Sequence, residues 1–580
     1  MYRICMISDF FYPNSGGVES HIFQLSQCLI NYGHKVVVLT HSYGCRKGIR
    51  IMSRGLKVYY LPFAVIYNQC TLPTLFASLP LIRSILIREQ IDIVHCHSAF
   101  SAMAIESLIH GKLLGLKTIF TEHSLFGFAD VSAIITNQLL GMSLIFANAV
   151  ICVSHVGKEN TALRAGVDPN KIYVIPNAVD TNVFKPDPSS RDSRYVTIIV
   201  ASRLVYRKGI DLLIEAIPII CKQYPQTRFF IIGDGPKKVN LEQMVEENLL
   251  QSRVQMFGMV KHENIRDILI QGDIFLNSSL TEAFCMAIIE AVACGLQVVS
   301  TNVGGIPEVL PNDLIWLTEP TVEGLVEGVD RALDDLKKGQ VLPPEVCYER
   351  IKTYYQWKEM TKRTLKVYER IVQDDIKPVG YYLSKLWKRG SICDLLMIYI
   401  LIIEYLVLLF WSFILPNEKI DIALELPRSS FEGNFPGFKL WQLDRLKCTS
   451  FWSTPSSRLI DNLSSRKIFV QYSATNGFQF YESDNIHHHP PRFCCYATVT
   501  YKDKDYSQSH VNWTTFGVPR RTDQSNDKGT SVHDIKNKPE SYWFNKTIVA
   551  GTKILRVMEQ LKHKYPNTLG LPMGFILRYF

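Results

Sequence analysis

Glu282-Ala-Phe-Cys-Met-Ala-Ile-Ile-Glu290, then Cys294-Gly295, then Gly304-Gly305-Ile306-Pro307-Glu308, is the stretch whose reading decides the fold. Two carboxylates stand eight positions apart with apolar residues between them. If the segment is helical from Glu282 onward, eight residues make about two turns, roughly 12 Å along one face. One carboxylate then stands at the helix entry and the other deeper on the same side, spaced to hold both ends of a long, polar ligand. An amphipathic helix with two solvated glutamates is the competing reading. The apolar runs on either side, 274–277 and 297–300, have the length of buried strands. Strand, helix, strand is the repeating unit of a parallel α/β sheet.

That unit recurs. Residues 4–8, 35–40, 91–95, 118–121, 150–153 and 171–175 form one set of apolar, strand-like runs. Residues 196–201, 227–232, 254–257, 274–277 and 297–300 form a second. Between the sets, Phe184-Lys-Pro-Asp-Pro-Ser-Ser-Arg-Asp-Ser193 is rich in proline, serine and charge and reads as a linker. The predicted architecture is two Rossmann-like domains, 1–185 and 194–375, facing each other across a cleft. Open α/β sheets bind ligands outside the carboxyl ends of their strands.

The chain has 580 residues, too many for one core. Hydrophobic residues make up 47% and charged residues 20%, which fits a folded protein. The net charge of +9 is scattered, with no basic run and no zinc-finger or RNA-binding signature, so nucleic acid is not an expected partner. Eleven of the 14 cysteines precede residue 400 without a CxxC pair, a pattern of buried, reduced thiols. The start, Met1-Tyr-Arg-Ile-Cys-Met-Ile-Ser-Asp9, reads as a strand and not as a signal peptide.

A single apolar stretch, 392–415, carries only Asp394 and Glu404 as charges and is long enough to cross a bilayer. Lys385, Lys388 and Arg389 precede it, so the positive-inside rule puts residues 1–390 in the cytoplasm and the C-terminus in the lumen or the exterior. A buried core helix is the competing reading. Glu404 near mid-span points to a membrane-embedded partner subunit. Residues 416–580 are rich in aromatic and polar residues and poor in helical periodicity until 549–563. They contain sequons at Asn462, Asn512 and Asn545, which agree with a lumenal tail.

Several residues carry chemistry. In Asp9-Phe-Phe-Tyr-Pro-Asn-Ser-Gly16-Gly17-Val-Glu-Ser, a strand ends in a glycine turn and a helix begins, a place where backbone amides meet a phosphate. Arg203 and Lys208, in Ala201-Ser-Arg-Leu-Val-Tyr-Arg-Lys-Gly209-Ile-Asp211, follow a strand and place two cations where a diphosphate would sit. A solvated basic loop is the alternative. Gly233-Asp-Gly235-Pro236 is a sharp turn that brings backbone close to a nucleotide, or an ordinary turn. Asn177-Ala-Val-Asp180 closes the first domain on the cleft side, or serves as a plain turn. His123, in Thr121-Glu-His-Ser124, follows a strand and faces the cleft or serves the core. His95-Cys96-His97 lacks a third ligand in sequence, so no metal is expected, and the His487-His-His489 run reads as a loop.

Together these motifs resemble glycosyltransferase family 4, whose members have the GT-B fold. Ser8-Asp-Phe-Phe-Tyr-Pro-Asn, Gly16-Gly-Val-Glu-Ser-His, Arg46-Lys-Gly-Ile-Arg, Phe126-Gly-Phe-Ala-Asp-Val, Ser202-Arg-Leu-Val-Tyr-Arg-Lys-Gly-Ile-Asp and Leu280-Thr-Glu-Ala-Phe-Cys-Met-Ala look like the branch that glycosylates phosphatidylinositol. The likeness runs from about residue 2 to about residue 427 and leaves the tail unassigned, either a lumenal domain or a fused or mis-joined segment.

The resemblance implies transfer of N-acetylglucosamine from UDP-GlcNAc to phosphatidylinositol, with retention, in the first step of GPI-anchor biosynthesis. It implies the cytoplasmic face of the endoplasmic reticulum, a complex with other membrane subunits, and no metal or other cofactor. Carried onto this sequence, Arg203 and Lys208 hold the diphosphate, Glu290 the ribose hydroxyls and Glu282 the donor sugar near its 3-hydroxyl. The amides of Ala283, Phe284, Cys285 and Met286 help hold diphosphate and sugar. Gly16 and Gly17 approach the phosphates from the opposite domain, Gly233 approaches the nucleotide, and His123 lines the sugar site. The leaving phosphate oxygen helps deprotonate the acceptor, so no enzymatic nucleophile is required. Arg46, Lys47 and Arg50, with the apolar stretch 59–87, are expected to dock on the bilayer and admit the lipid acceptor. A surface loop plus core helices is the alternative there.

Overall fold

The computed structural model describes residues 1–14, 16–125 and 131–424, with the backbone alone at 131–135 and in short strands between 438 and 514. Ser15, residues 126–130, Asn462, Asn545, the His487-His-His489 run and the periodic stretch 549–563 lie outside the described residues. Asn512 lies in the strand His510–Thr514, which pairs antiparallel with Tyr496–Thr500.

Two large sheets form, as the alternating pattern predicts. The first has eight strands. Across it run Ile172–Val174, Ala149–Cys152, Lys117–Glu122, Ile93–His97, Arg3–Ile7, Lys35–His41, Lys57–Leu61 and Gly48–Ile51. Only the last pair is antiparallel. Ile4, Cys5, Met6 and Ile7 are wholly buried and alternate between two cores. Cys5 and Ile7 join one apolar layer, Ile4 and Met6 the other. The second sheet has six parallel strands, in the order Val254–Gly258, Thr227–Ile232, Val196–Ala201, Ile274–Asn277, Gln297–Thr301 and Ile315–Thr318.

The direction of winding reverses at one place in each sheet. In the first it is Arg3–Ile7, flanked by Lys35–His41 and Ile93–His97. In the second it is Val196–Ala201, flanked by Thr227–Ile232 and Ile274–Asn277. At such a switch point the two neighbouring crossovers leave on opposite faces, and a crevice opens beyond the strand ends. The glycine turn at Gly16 and Gly17 follows the first switch strand. The Arg203–Lys208 loop follows the second.

The sequence pattern missed Gly48–Ile51, Lys57–Leu61 and Ile315–Thr318, along with a short hairpin of Val65–Tyr67 and Cys70–Thr71. This corrects the bilayer-facing reading of 59–87. Tyr59, Tyr60 and Leu61 are buried strand residues, and the helix Leu79–Arg88 packs its Ile82 and Leu86 inward. Large apolar side chains are exposed in and just after the hairpin, at Val65, Ile66, Tyr67, Leu72 and Leu75. The linker is not free either. Phe184 is buried in the second domain's core, and Arg191 donates to Gly295 O at 2.7 Å and pairs with Asp273.

A boundary at 375 also gives way. The chain returns to the first domain near 355, where Val179 N donates to Tyr355 O. The helix Trp357–Val372 then inserts Trp357, Met360, Val367, Tyr368 and Ile371 into the core that contains Ile4 and Met6. Beyond it, the helix Ile392–Ile414 has 23 residues and is long and apolar enough to cross a membrane. One of its faces is nevertheless covered. Met397 and Leu401 join the first domain's core, and Asp394 and Glu404 are buried. Asp394 pairs with Arg389 at 3.2 Å, and Glu404 Oε1 lies 3.5 Å from His110 Nε2. Glu404 thus has an imidazole of its own chain beside it, but its carboxylate oxygens make no hydrogen bond among the described residues.

Phe275, in the middle of the second sheet, is buried in the layer beneath Ile288 and Ile289. Phe275→Ala is expected to cost about 3–5 kcal/mol, read as a lower unfolding midpoint in denaturant.

Candidate active site

The helix following Ile274–Asn277 begins at Met286 and runs to Ala293. It starts four residues later than a helix entered at Glu282, so the two carboxylates do not share one helical face. Glu282 sits in the preceding loop, fixed by backbone. Gly305 N donates to Glu282 O at 2.9 Å, and Leu280 N to Arg207 O at 2.9 Å. Ser278 Oγ donates to Lys208 O at 2.8 Å. The loops after two adjacent parallel strands are thereby laced together. Gly209 makes this approach with φ +66°, where a Cβ would stand 1.8 Å from Ser278 O. Gly233, at φ +136°, is closed to a Cβ in the same way by Ser202 O, again at 1.8 Å.

The lacing delivers Lys208 to Glu282. Its Nζ donates to both carboxylate oxygens, at 2.9 and 2.8 Å. Burial works against the Lys208 ammonium, but the Glu282 carboxylate outweighs it and the pKa is raised. Arg203 is exposed at the same edge. Across the cleft it lies within electrostatic reach of Glu19, in the first turn of the helix Gly17–Asn31. Burial raises the Glu19 pKa while Arg203 pulls it back. The Glu19 carboxylate folds over Gly16, where a Cβ would meet its Oε2 at 2.4 Å. A Cβ on Gly17 would lie 3.6 Å from Met286 Sδ. So the glycine turn of one domain and the start of the helix of the other do meet. Each of the two cations faces a carboxylate, an arrangement that an anionic ligand can take over.

Deeper in the second domain, Glu290 is buried and bonds His262 Nε2 at 2.9 Å. Burial alone lowers an imidazole pKa; here the hydrogen bond and charge of Glu290 prevail, and the His262 pKa is raised. Sequence reading missed His262, which lies 28 positions from its partner in a short helix with no signature. It also missed the role of Glu308. This carboxylate accepts from His155 N at 2.6 Å and Val156 N at 2.8 Å, capping a helix of the first domain from the second. Phe284 and Cys285 are buried beside Met286, and burial pushes the Cys285 thiol up to about 12.

His123 does not stand alone. Its Nε2 is hydrogen-bonded to His97 Nδ1 at 3.2 Å, and its ring meets His21 edge-on with centroids 4.8 Å apart. His21 is bonded to Asn177 Oδ1 at 2.8 Å, and His95 to Tyr368 Oη and Thr121 Oγ1. Burial pushes His21 down to about 4 and His95 to about 3, and holds His97 and His123 well below the usual imidazole range. The result is a wall of neutral imidazoles. Cys96 points to the opposite face, as strand alternation requires. The third ligand absent from local sequence is supplied by the fold: ring nitrogens of His21, His97 and His123 lie within 4.8 Å of one another.

Arg46, Lys47 and Arg50 lie apart from this cluster, at and before the edge strand Gly48–Ile51. Lys47 is exposed, and Arg50 donates to Cys45 O. Asp9, next to the glycine turn, is wholly buried. Its Oδ1 accepts from Thr71 Oγ1 at 2.9 Å, and burial pushes its pKa up to about 6.

Comparison with known proteins settles the family. Residues 41–130 match the model described as PIGA (GPI anchor biosynthesis), and 184–342 match Glycosyl transferases group 1. A human phosphatidylinositol N-acetylglucosaminyltransferase subunit is 52% identical over 437 residues, covering 75% of this chain and 90% of that protein. The chain belongs to the PIGA family of phosphatidylinositol N-acetylglucosaminyltransferase subunits. The Arabidopsis thaliana protein of the same name is 48% identical, over 73% of this chain and 94% of its own length. The Schizosaccharomyces pombe gpi3 subunit is 45% identical, over 74% and 93%.

Solved structures give the GT-B glycosyltransferase fold. A sucrose-phosphate synthase from Thermosynechococcus elongatus superposes with TM-score 0.54 at 22% identity, covering 64% of this chain and 99% of that one. Anabaena HepE, solved with UDP and glucose, superposes with TM-score 0.52 at 18% identity, over 64% and 100%.

The His262–Glu290 pair carries a pH signature. Because its folded pKa is raised, protonated His262 stabilises the fold fully below the unfolded value near 6.5, and that contribution disappears as pH rises through the folded pKa. His262→Gln should flatten this part of the dependence of melting temperature on pH, measured from about pH 5 to 9 against the native chain.

Proposed function

We propose that this chain is the catalytic subunit that transfers N-acetylglucosamine from UDP-GlcNAc to phosphatidylinositol, with retention, in the first step of GPI-anchor biosynthesis. The observation that carries the reading is the Lys208–Glu282 pair, set between the switch point of the second sheet and the glycine turn of the first domain. When the donor enters, its diphosphate replaces the carboxylates as the partner of Lys208 and Arg203. Glu282 is then released to accept from a sugar hydroxyl, and the two cations stabilise UDP as it leaves. Glu290 is placed for the ribose hydroxyls, with His262 holding its carboxylate. His123 is a neutral hydrogen-bonding group for the sugar. In a front-face displacement the departing phosphate oxygen takes the acceptor proton, so the chain needs no nucleophile of its own.

The reading further places the catalytic domains on the cytoplasmic face of the endoplasmic reticulum, in a complex with other membrane subunits. Arg46, Lys47 and Arg50 face the anionic lipid surface, with the exposed Ile66 and Tyr67 as apolar contacts. No metal takes part, and the imidazole cluster serves as a hydrogen-bonding wall.

Transfer of labelled N-acetylglucosamine to phosphatidylinositol, in microsomes from cells lacking the endogenous subunit, tests the proposal. Glu282→Ala and Arg203→Ala should each lower the rate about 100-fold or more at equal expression. Equal product from Glu282→Ala and the native chain would reduce the chain to a scaffold. Excess EDTA should leave the native rate unchanged. A loss restored by added zinc would instead assign a metal to His21, His97 and His123. Charge reversal at Arg46, Lys47 and Arg50 should slow transfer to membrane-bound lipid more than to a short-chain soluble acceptor.

A further inference from the structure

The four clustered histidines of the first domain are not alike. His95 is a satisfied core residue. One ring nitrogen is bonded to Tyr368 Oη at 2.7 Å and the other to Thr121 Oγ1 at 2.6 Å. His97 is wholly buried but not satisfied. Its Nδ1 reaches His123 Nε2 at 3.2 Å, and its Nε2 has no hydrogen-bond partner among the described residues. An unpaired buried nitrogen is destabilising, so a core role does not account for His97. His21 joins the group from the helix Gly17–Asn31, with its Nδ1 bonded to Asn177 Oδ1 at 2.8 Å. That bond to a carbonyl oxygen puts the proton on Nδ1 and leaves the Nε2 lone pair to give. Such an outer partner is what orients a metal-ligating histidine.

Ring nitrogens of His21, His97 and His123 lie within 4.8 Å of one another. Around a tetrahedral zinc ion, with Zn–N near 2.0–2.1 Å, ligand nitrogens stand about 3.3 Å apart. The His97–His123 pair already has that spacing, and rotation of the His21 ring closes the remainder. The hydrogen between the two facing nitrogens moves to the far nitrogen of its own ring, so each imidazole stays neutral and offers one lone pair.

The ligand set decides the class of ion. Three imidazoles without a carboxylate suit zinc, and do not suit magnesium, calcium or manganese, which take oxygen ligands. His123 is the half-exposed member of the three, so a fourth position opens to water on its side. Leu125, two residues beyond His123, and Glu282 O both crowd the place a Cβ on Gly304 would take. The end of the strand carrying His123 therefore stands close to the Glu282 loop of the other domain.

We propose that His21, His97 and His123 form an inhibitory zinc site, in which the ion occupies the imidazoles in place of the donor sugar and takes no part in transfer. The competition rests on the reading of His123 as a lining of the sugar site. The metal site itself rests on no assignment of donor or acceptor.

Cobalt(II) is the probe, because a tetrahedral site absorbs far more strongly in the visible than an octahedral, adventitious ion. The metal-free full-length chain, purified in detergent with its copurifying subunits, is titrated. One cobalt per chain with strong visible bands, displaced by zinc, is expected. Asn177→Ala should weaken binding about 10–100-fold, and His123→Gln and His21→Gln by more. Far-ultraviolet circular dichroism checks that each variant folds. Absence of the bands from the native chain, or bands that survive both histidine substitutions, overturns the metal site. In the transfer assay, zinc at ten times its dissociation constant should raise the KM for UDP-GlcNAc about tenfold with kcat unchanged. Bound zinc with an unchanged KM overturns the competition. A chain that binds cobalt at these histidines yet transfers nothing would refute the proposed activity and leave the metal site standing.

Discussion

The site depends on one ion pair between two loops. Lys208 and Glu282 are 74 positions apart and meet because their loops leave neighbouring parallel strands at the same end of the sheet. Parallel pairing leaves no choice in this: every strand of such a sheet delivers its following loop to the same edge. Once there, the ammonium and the carboxylate are half-buried, and each is held in place by the other. A partly desolvated charge needs a partner, so an anion can enter here only by exchange. The same exchange logic applies to Arg203 and Glu19 on the other side of the cleft.

Around that pair, the two domains are joined at more than their linker. Glu308 caps a helix of the first domain from the second, and the helix Trp357–Val372 leaves the second domain to complete the core of the first. The cleft is thus closed at its back by the chain passing twice between the domains. The histidine wall belongs to the first domain alone, and Tyr368 from the returning helix orients His95 within it. The imidazole wall and the first domain's core therefore share one structural element.

The apolar helix shows how composition and packing divide a question between them. Its length and hydropathy are those of a helix long and apolar enough to cross a membrane. Its two acids, Asp394 and Glu404, fall on the covered stripe and meet Arg389 and His110. Asp394 is paired and hydrogen-bonded at the helix start, whereas the Glu404 carboxylate has His110 beside it and no hydrogen bond among the described residues.

The α/β alternation, the two switch-point loops and the residue types of the site were legible in the sequence. Strand and helix periodicity and glycine placement are local properties. Strands 196–201, 227–232 and 274–277 are found where their apolar runs predict them. Glu282, Lys208, Glu290 and Gly17 were each visible as chemistry, and the family likeness gave them roles. Tertiary structure alone decided which of them touch. It paired Lys208 with Glu282 and Glu290 with His262, and gathered His21 from a helix beside His95, His97 and His123 from two neighbouring strands and their ends. It also delayed the start of the acid-bearing helix to Met286 and covered one face of the apolar helix. The physical reason is the same throughout: periodicity reports which face of an element is buried, whereas a partner is chosen by the packing of elements far apart in the chain.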